Sequence, residues 1–260
     1  MEFALYLVLG GFAGLLAGLF GVGGGMIIVP VLVFSFTLQG FDPLVLTHLA
    51  VGTSLASIVF TSLNSIRAHH LKGGVLWPVV LWMTFGILFG AALGSLTAAA
   101  IQGPLLQKII GVFAIAVSVQ MAFSLQPKAS RGVPGKPGLT LVGVVVGWAS
   151  AIFGIGGGSL TVPFLSWRSV PIQKAVATSA ACGLPIAVVG ALSFAVVGWQ
   201  DPHLPAWSFG FVYFPAVLGI AITSMFFARI GAQLAHRLSA LMLRRLFALL
   251  LLGVGINFLI

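Results

Sequence analysis

Phe20-Gly21-Val22-Gly23-Gly24-Gly25, with Val29-Pro30 behind it, and Phe153-Gly154-Ile155-Gly156-Gly157-Gly158, with Val162-Pro163 behind it, are near-copies of one phrase. Pro30 and Pro163 lie 163 − 30 = 133 residues apart, about half of a 260-residue chain. A repeat of this kind marks a duplicated unit. A second echo agrees with it: Ala50-Val51-Gly52-Thr53-Ser54 matches Ala175-Val176-Ala177-Thr178-Ser179. Each glycine phrase interrupts a long apolar stretch, where a break in the chain needs a reason.

The composition sets the class. The chain is 60% hydrophobic and only 6% charged, with a mean hydropathy of +1.19. A soluble domain carries about 25% charged residues, so this chain cannot cover a globule with polar surface. Apolar runs long enough to span a bilayer, roughly 17 to 25 residues, fill nearly all of it. An all-α integral membrane protein embedded in lipid follows. The net charge of +9 does not point to nucleic acid, because its Lys and Arg residues stand singly or in small groups between apolar runs. That is how charges that orient a membrane protein are placed. The single cysteine, Cys182, excludes an intramolecular disulfide and a cysteine-cluster metal site. Met1-Glu2-Phe3 lacks a basic n-region, so the first run reads as mature structure.

Eight apolar runs cover roughly 3–37, 44–66, 74–100, 104–125, 138–167, 171–198, 205–229 and 240–260. The first and fifth are too long for one straight crossing of about 20 residues, and each has Gly-Gly-Gly in its middle. The charges decide how they run. Positive charge marks the loop after run 2 (Arg67, Lys72), the central linker (Lys128, Arg131, Lys136), the loop after run 5 (Arg168, Lys174) and the region after run 7 (Arg229, Arg237, Arg244, Arg245). If every run crossed once, these groups would fall on opposite sides. If runs 1 and 5 enter and return, all four become cytoplasmic, both termini become external, and only Lys108 fits poorly. Each half then crosses an odd number of times. The predicted architecture is therefore two inverted-topology repeats, each a glycine-broken helical hairpin plus three transmembrane helices. Residues 1–126 form the first repeat, 127–137 a cytoplasmic linker and 138–260 the second. Inverted repeats with broken helices at matching positions point to a secondary transporter and its binding site.

The glycines carry the chemistry. Irregular backbone inside a membrane is tolerated only where protein or a water-filled cavity covers it. The residues from Gly25 and from Gly158 are expected to begin short return helices, whose first N–H groups are unpaired and carry the positive dipole end. Two such starts facing each other suit a small oxyanion. Gly23, Gly24, Gly25, Gly156, Gly157 and Gly158 are the leading substrate-binding candidates. Thr53, Ser54, Thr178 and Ser179 join them as neutral hydroxyl donors, the competing reading being that they bond their own helix carbonyls. Cys182, one turn beyond Ser179, is either a lining residue or a small buried hydrophobe. His48 reads as interfacial. Gly10, Gly14 and Gly18, like Gly143, Gly147 and Ala151, recur every four residues and read as helix-packing ladders.

Several classes drop out. No Asp, Glu, Lys or Arg stands in the middle of a run, the usual place for a proton relay. The chain has no P-loop, and its glycine phrases lack the spacing and context of a dinucleotide fingerprint. Metal-ligand spacing is also missing, so neither an enzyme nor a cofactor is expected.

The paired F-G-[VI]-G-G-G-x3-V-P segments resemble those of the TauE/SafE family of sulfite exporters, also called the toluene sulfonate uptake permease family. The repeated Ala-Val-x-Thr-Ser agrees, as do Lys108-Ile109-Ile110 and Arg245-Leu246-Phe247 in the two halves. The resemblance implies a bacterial inner-membrane carrier for sulfite, thiosulfate, sulfoacetate or an organosulfonate, working by alternating access. Each negative charge leaving a negative interior gains about 2.3 kcal/mol per 100 mV, which modestly favours export. An importer of the same anions, an anion channel and a non-transporting scaffold stay open at this point, as does a homo-oligomer.

Overall fold

The computed structural model describes residues 2–20, 25–123, 132–235 and 240–260. Among them run α1 (Glu2–Phe20), α2 (Gly25–Leu38), α3 (Pro43–Leu71), α4 (Trp77–Ala99), α5 (Gly103–Ala122), α6 (Lys136–Phe153), α7 (Gly158–Trp167), α8 (Ile172–Val197), α9 (Phe214–Ala235) and α10 (Ala240–Leu259). Six helices (α3, α4, α5, α6, α8 and the Phe214–Gly231 part of α9) are long and apolar enough to cross a bilayer. The chain is an all-α, multi-pass membrane protein.

Local sequence sets the helix starts. Pro43, Pro78, Pro104 and Pro137 each occupy one of the first two positions of a helix, where a missing N–H costs nothing. Asp42 caps α3 by accepting the Leu44 N–H at 2.9 Å. Pro137 also starts α6 at Lys136, inside the stretch predicted as linker. The predicted run 205–229 divides differently. It opens with a two-stranded hairpin, β1 (Ser208–Phe209) and β2 (Val212–Tyr213), and α9 follows. The left-handed backbone of Gly210 (φ 53°) turns it. Phe211 is buried at its tip, and its N–H donates to Phe194 O at 3.1 Å.

The packing joins the two halves rather than keeping them apart. Helices α1 and α9 pack together, as do α4 and α6, α5 and α10, and α3 and α8. Exchanging each helix for the one five places on maps these pairings onto one another. Their directions can be read from neighbours. Gly190 faces Leu55 while Gly183 faces Ser62, so α3 and α8 run antiparallel. Gly111 faces Phe258 while Ser118 Oγ donates to Ala248 O at 2.7 Å, so α5 and α10 are antiparallel too. Thr140 Oγ1 donates to Trp82 O at 3.1 Å and Trp148 Nε1 to Thr97 Oγ1 at 3.2 Å, so α4 and α6 are parallel. Gly219 faces Tyr6 and Gly14 faces Ser224, which makes α1 and α9 parallel.

These directions place the helix ends. Helix α8 begins beside the end of α3, where the Leu76 N–H donates to Thr178 Oγ1 at 3.0 Å. Helix α6 begins on that same face, because it runs parallel to α4, and α7 ends there. The pair α6–α7 therefore enters and returns. The pair α1–α2 does the same from the opposite face, where Tyr6 OH donates to Gln39 Oε1 at 2.8 Å. At about 1.5 Å per residue, the ten residues of α7 reach about 15 Å. That is about half the thickness of a hydrocarbon core of about 30 Å. The face at which α6 begins holds Arg67, Lys72, Lys136, Arg168, Lys174 and Arg245, while Glu2, Asp42 and Asp201 lie on the other.

The four-residue ladders serve close packing. Gly147 lies against Ile87 O, with room for no Cβ: one built there would stand 2.8 Å from that oxygen. Gly90 lies closer still to the backbone of Val144, whereas Gly253 has open space. Gly90→Leu should cost about 1–3 kcal/mol by overpacking and lower the melting temperature in detergent by several degrees. Gly253→Ala should hold or raise it by removing a flexible helix residue.

Candidate functional site

The second break is built by two left-handed glycines. Helix α6 ends at Phe153, and Gly154 turns to φ 65°, ψ 31°. Its N–H and that of Ile155 both reach Ser150 O. Gly157, at φ 75°, opens α7, and its carbonyl accepts from Leu160 N at 3.1 Å and Thr161 N at 2.8 Å. A side chain at either position would be strained. Between these turns, the N–H groups of Gly156, Gly157, Gly158 and Ser159 donate to no acceptor among the described residues. Four consecutive free amides at a helix start form an anion-attracting concavity.

Of the first break, Gly23 and Gly24 lie outside the described residues. Gly25 opens α2, as expected, and presses on the other copy. A Cβ on it would stand 2.6 Å from Gly154 O and 2.7 Å from Ile155 Cα. Ser159 Oγ donates to Met26 Sδ at 2.9 Å. These two residues are 159 − 26 = 133 apart, so they are equivalents in the repeat, touching each other. The short helices meet start to start. Phe113 stacks on Phe153 at 3.8 Å and 6° and pins the last residue of α6. A small apolar pocket bounded by Met26, Phe113, Phe153 and Leu251 borders the same contact.

The predicted hydroxyls fall into three situations. Ser54 Oγ donates to Gly154 O at 2.9 Å and so holds the turn of the second break. Thr53 Oγ1 accepts the Tyr213 N–H at 2.9 Å, just as Thr178 Oγ1 accepts that of Leu76. Tyr213 and Leu76 immediately precede α9 and α4, so this pair anchors two equivalent helix starts. Ser179 is 2% exposed and its Oγ has no partner among the described residues. Cys182 is fully buried within the core. His48 is buried too, not interfacial: its Nε2–H points at Ala98 O (3.0 Å) and Ile101 O (2.9 Å). Its ring stacks on Phe211, so it ties α3 to the α4–α5 corner.

Two residues escaped the sequence reading. Ser150 and Thr161 are fully buried, and their hydroxyls have no partner among the described residues. A Cβ on Gly157 would lie 3.5 Å from Thr161 Oγ1 and 3.7 Å from Ser150 Oγ. Both therefore flank the free amides. Their counterparts one repeat earlier are Ala17 and Ile28 (150 − 133 and 161 − 133), so a search for repeated polar residues passes over them.

The family model for the sulfite exporter TauE/SafE matches residues 6–258. The chain belongs to the TauE/SafE family. A probable membrane transporter protein of Haemophilus influenzae is 36% identical over 254 residues, covering 97% of this chain and 96% of that protein. One from Methanocaldococcus jannaschii is 30% identical over 257 residues, covering 97% and 93%. The probable membrane transporter YunE of Bacillus subtilis is 31% identical over 219 residues, covering 76% and 80%. This TauE/SafE chain is thus a membrane transporter, matched along nearly its whole length.

The threonine anchors give a stability prediction. Thr53→Val removes the acceptor of the buried Tyr213 N–H and Thr178→Val that of the half-buried Leu76 N–H, at a cost of about 1–3 kcal/mol, smaller for the second. Thermal unfolding should show the loss for both variants. Hydrogen exchange should localise it, with faster exchange at Tyr213 in the first variant and at Leu76 in the second.

Proposed function

We propose that this chain is a secondary carrier that moves a small sulfur-containing anion by alternating access, holding it at its glycine breaks. The observation that carries the reading is the meeting of the two short helices at Gly25 and Gly154–Ile155, beside four unpaired amides. Exposed amides in a bilayer need a partner, and a small oxyanion supplies one. Sulfite, thiosulfate, sulfoacetate and organosulfonates are the substrates implied by the family.

Inverted-topology repeats, residues 1–126 and 138–260 about a cytoplasmic linker, underlie the mechanism. Their support is the antiparallel pairing of equivalent helices, α3 with α8 and α5 with α10. The basic face is cytoplasmic by the positive-inside rule, which puts both termini outside the inner membrane of a bacterium. The halves rock about the breaks, opening the site to one side and then the other. Export is favoured, because the membrane potential drives each leaving negative charge by about 2.3 kcal/mol per 100 mV, and no charged residue sits mid-span to bind a coupling ion.

Three measurements test this. A thermal-shift screen of the purified protein across sulfite, thiosulfate, sulfate, sulfoacetate and aromatic sulfonates should find a stabilising anion. Proteoliposomes should move that anion saturably and with counterflow, whereas large unitary currents would replace the carrier with a channel. Gly157→Leu places a side chain at φ 75° where Ile186 Cδ1 would stand 2.6 Å from its Cβ. It should abolish the response with expression retained, and normal transport by that variant would show the glycine site to be wrong. A C-terminal tag should be reachable from outside intact cells; a cytoplasmic tag overturns the orientation.

A further inference from the structure

Most hydroxyls of the helices have a partner, while four buried ones, Ser150, Thr161, Ser179 and Ser224, have none among the described residues, and of these only Ser150 and Thr161 are within 4 Å of where a Gly157 Cβ would be. Thr37, Ser57, Ser95, Thr97 and Thr223 each donate to the carbonyl four residues back, at 2.7–3.0 Å. This is how a membrane helix normally quiets a hydroxyl. Ser150 and Thr161 make no such bond, although both are fully buried and both sit on helices with a carbonyl in reach. A buried hydroxyl without a partner is costly. These two lie on opposite sides of the second break, each within 4 Å of where a Gly157 Cβ would be. They stand beside the unpaired amides of Gly156–Ser159.

The first copy has nothing comparable. From Phe20 to Ile28 it carries no hydroxyl, and Ala17, Met26 and Ile28 stand where the second copy has Ser150, Ser159 and Thr161. The place where the two copies touch is already filled by the Met26–Ser159 contact. A ligand cannot sit there without parting them.

We infer that the site is asymmetric: one anion per chain rests against the start of α7, with Ser150 Oγ and Thr161 Oγ1 donating to its oxygens alongside the free amides. Met26, at the start of α2, packs against Ser159 on one side of this site. The inference rests on the carrier reading above and adds which copy binds and with which side chains. The recognised chemistry is a small oxyanion with at least two free oxygens, held by neutral donors alone. Such a site selects by size and oxygen placement, because no countercharge contributes.

The test is binding by the purified full chain, with sulfite, thiosulfate, sulfate and methanesulfonate as probes. Ser150→Ala and Thr161→Val should each weaken the best probe roughly ten-fold or more, as expected for losing a hydrogen bond to a charged group. Thr161→Ser keeps the hydroxyl and should retain affinity, and Ser95→Ala, whose hydroxyl bonds its own helix, should bind as wild type. If Ser150→Ala and Thr161→Val bind every probe as tightly as wild type, the hydroxyl assignment is overturned while the carrier reading stands. A lowered melting temperature with unchanged affinity means that the hydroxyls hold a structural water, which also overturns it. If the wild type neither binds nor transports any probe, the carrier reading fails and the inference fails with it.

Discussion

A backbone amide inside a lipid bilayer must find an acceptor, and everything distinctive about this chain follows from having broken that bond ladder twice. Hydrocarbon offers no hydrogen bonds, so each turn of irregular chain has to be covered by protein or used by a ligand. At the second break most of the polar backbone is accounted for. Ser150 O takes two N–H groups, Gly157 O takes two more, and Gly154 O is held by Ser54. Between these contacts, the N–H groups of Gly156 through Ser159 donate to no acceptor among the described residues.

Covering the breaks explains the exchanged packing. A hairpin that enters and returns cannot shield its own turn, and here the start of α2 presses on the turn of the second copy through Gly25 and Met26. Helix α6 lies along α4 and α1 along α9, so each broken element leans on a full span of the opposite half. Such contacts demand near backbone-to-backbone approach, which is why small residues line them. In the carrier reading proposed above, rocking one half against the other would carry the glycine break with it, which would couple motion to binding.

Much of this was legible in the sequence. The second glycine phrase located a break, and helices start at Gly25 and Gly158, as the spacing implied. The loop charges suggested two faces, and Arg67, Lys72, Lys136, Arg168, Lys174 and Arg245 do share one face, while Lys108, near the start of α5, stands on the other. Legibility ended where repetition did. Thr53 and Thr178 were marked because they recur, yet they recur for a shared structural task, receiving the N–H that precedes α9 and α4. The β1–β2 hairpin was hidden inside an apolar run, because Phe209, Phe211, Val212 and Tyr213 have the hydropathy of a span. Only Gly210 marked the turn. His48 was read at the interface because its neighbours in sequence are at a helix entrance, but the loop carrying Phe211 folds over it.

The least legible feature is the difference between the copies. Duplication supplies a scaffold in which two turns brace each other, and symmetry serves that bracing well. Binding a single small ligand at a two-fold meeting point is harder, since identical groups would crowd the axis. Here the axis position is taken by Met26 against Ser159, a thioether facing a hydroxyl. One copy has kept apolar side chains around its turn and the other has placed Ser150, Ser159 and Thr161 around its own. Apolar packing on one side excludes water from the donors on the other, and excluded water strengthens every hydrogen bond those donors make. On the proposed reading, divergence between the repeats is therefore what turns the meeting of two short helices into one polar site with an apolar neighbour.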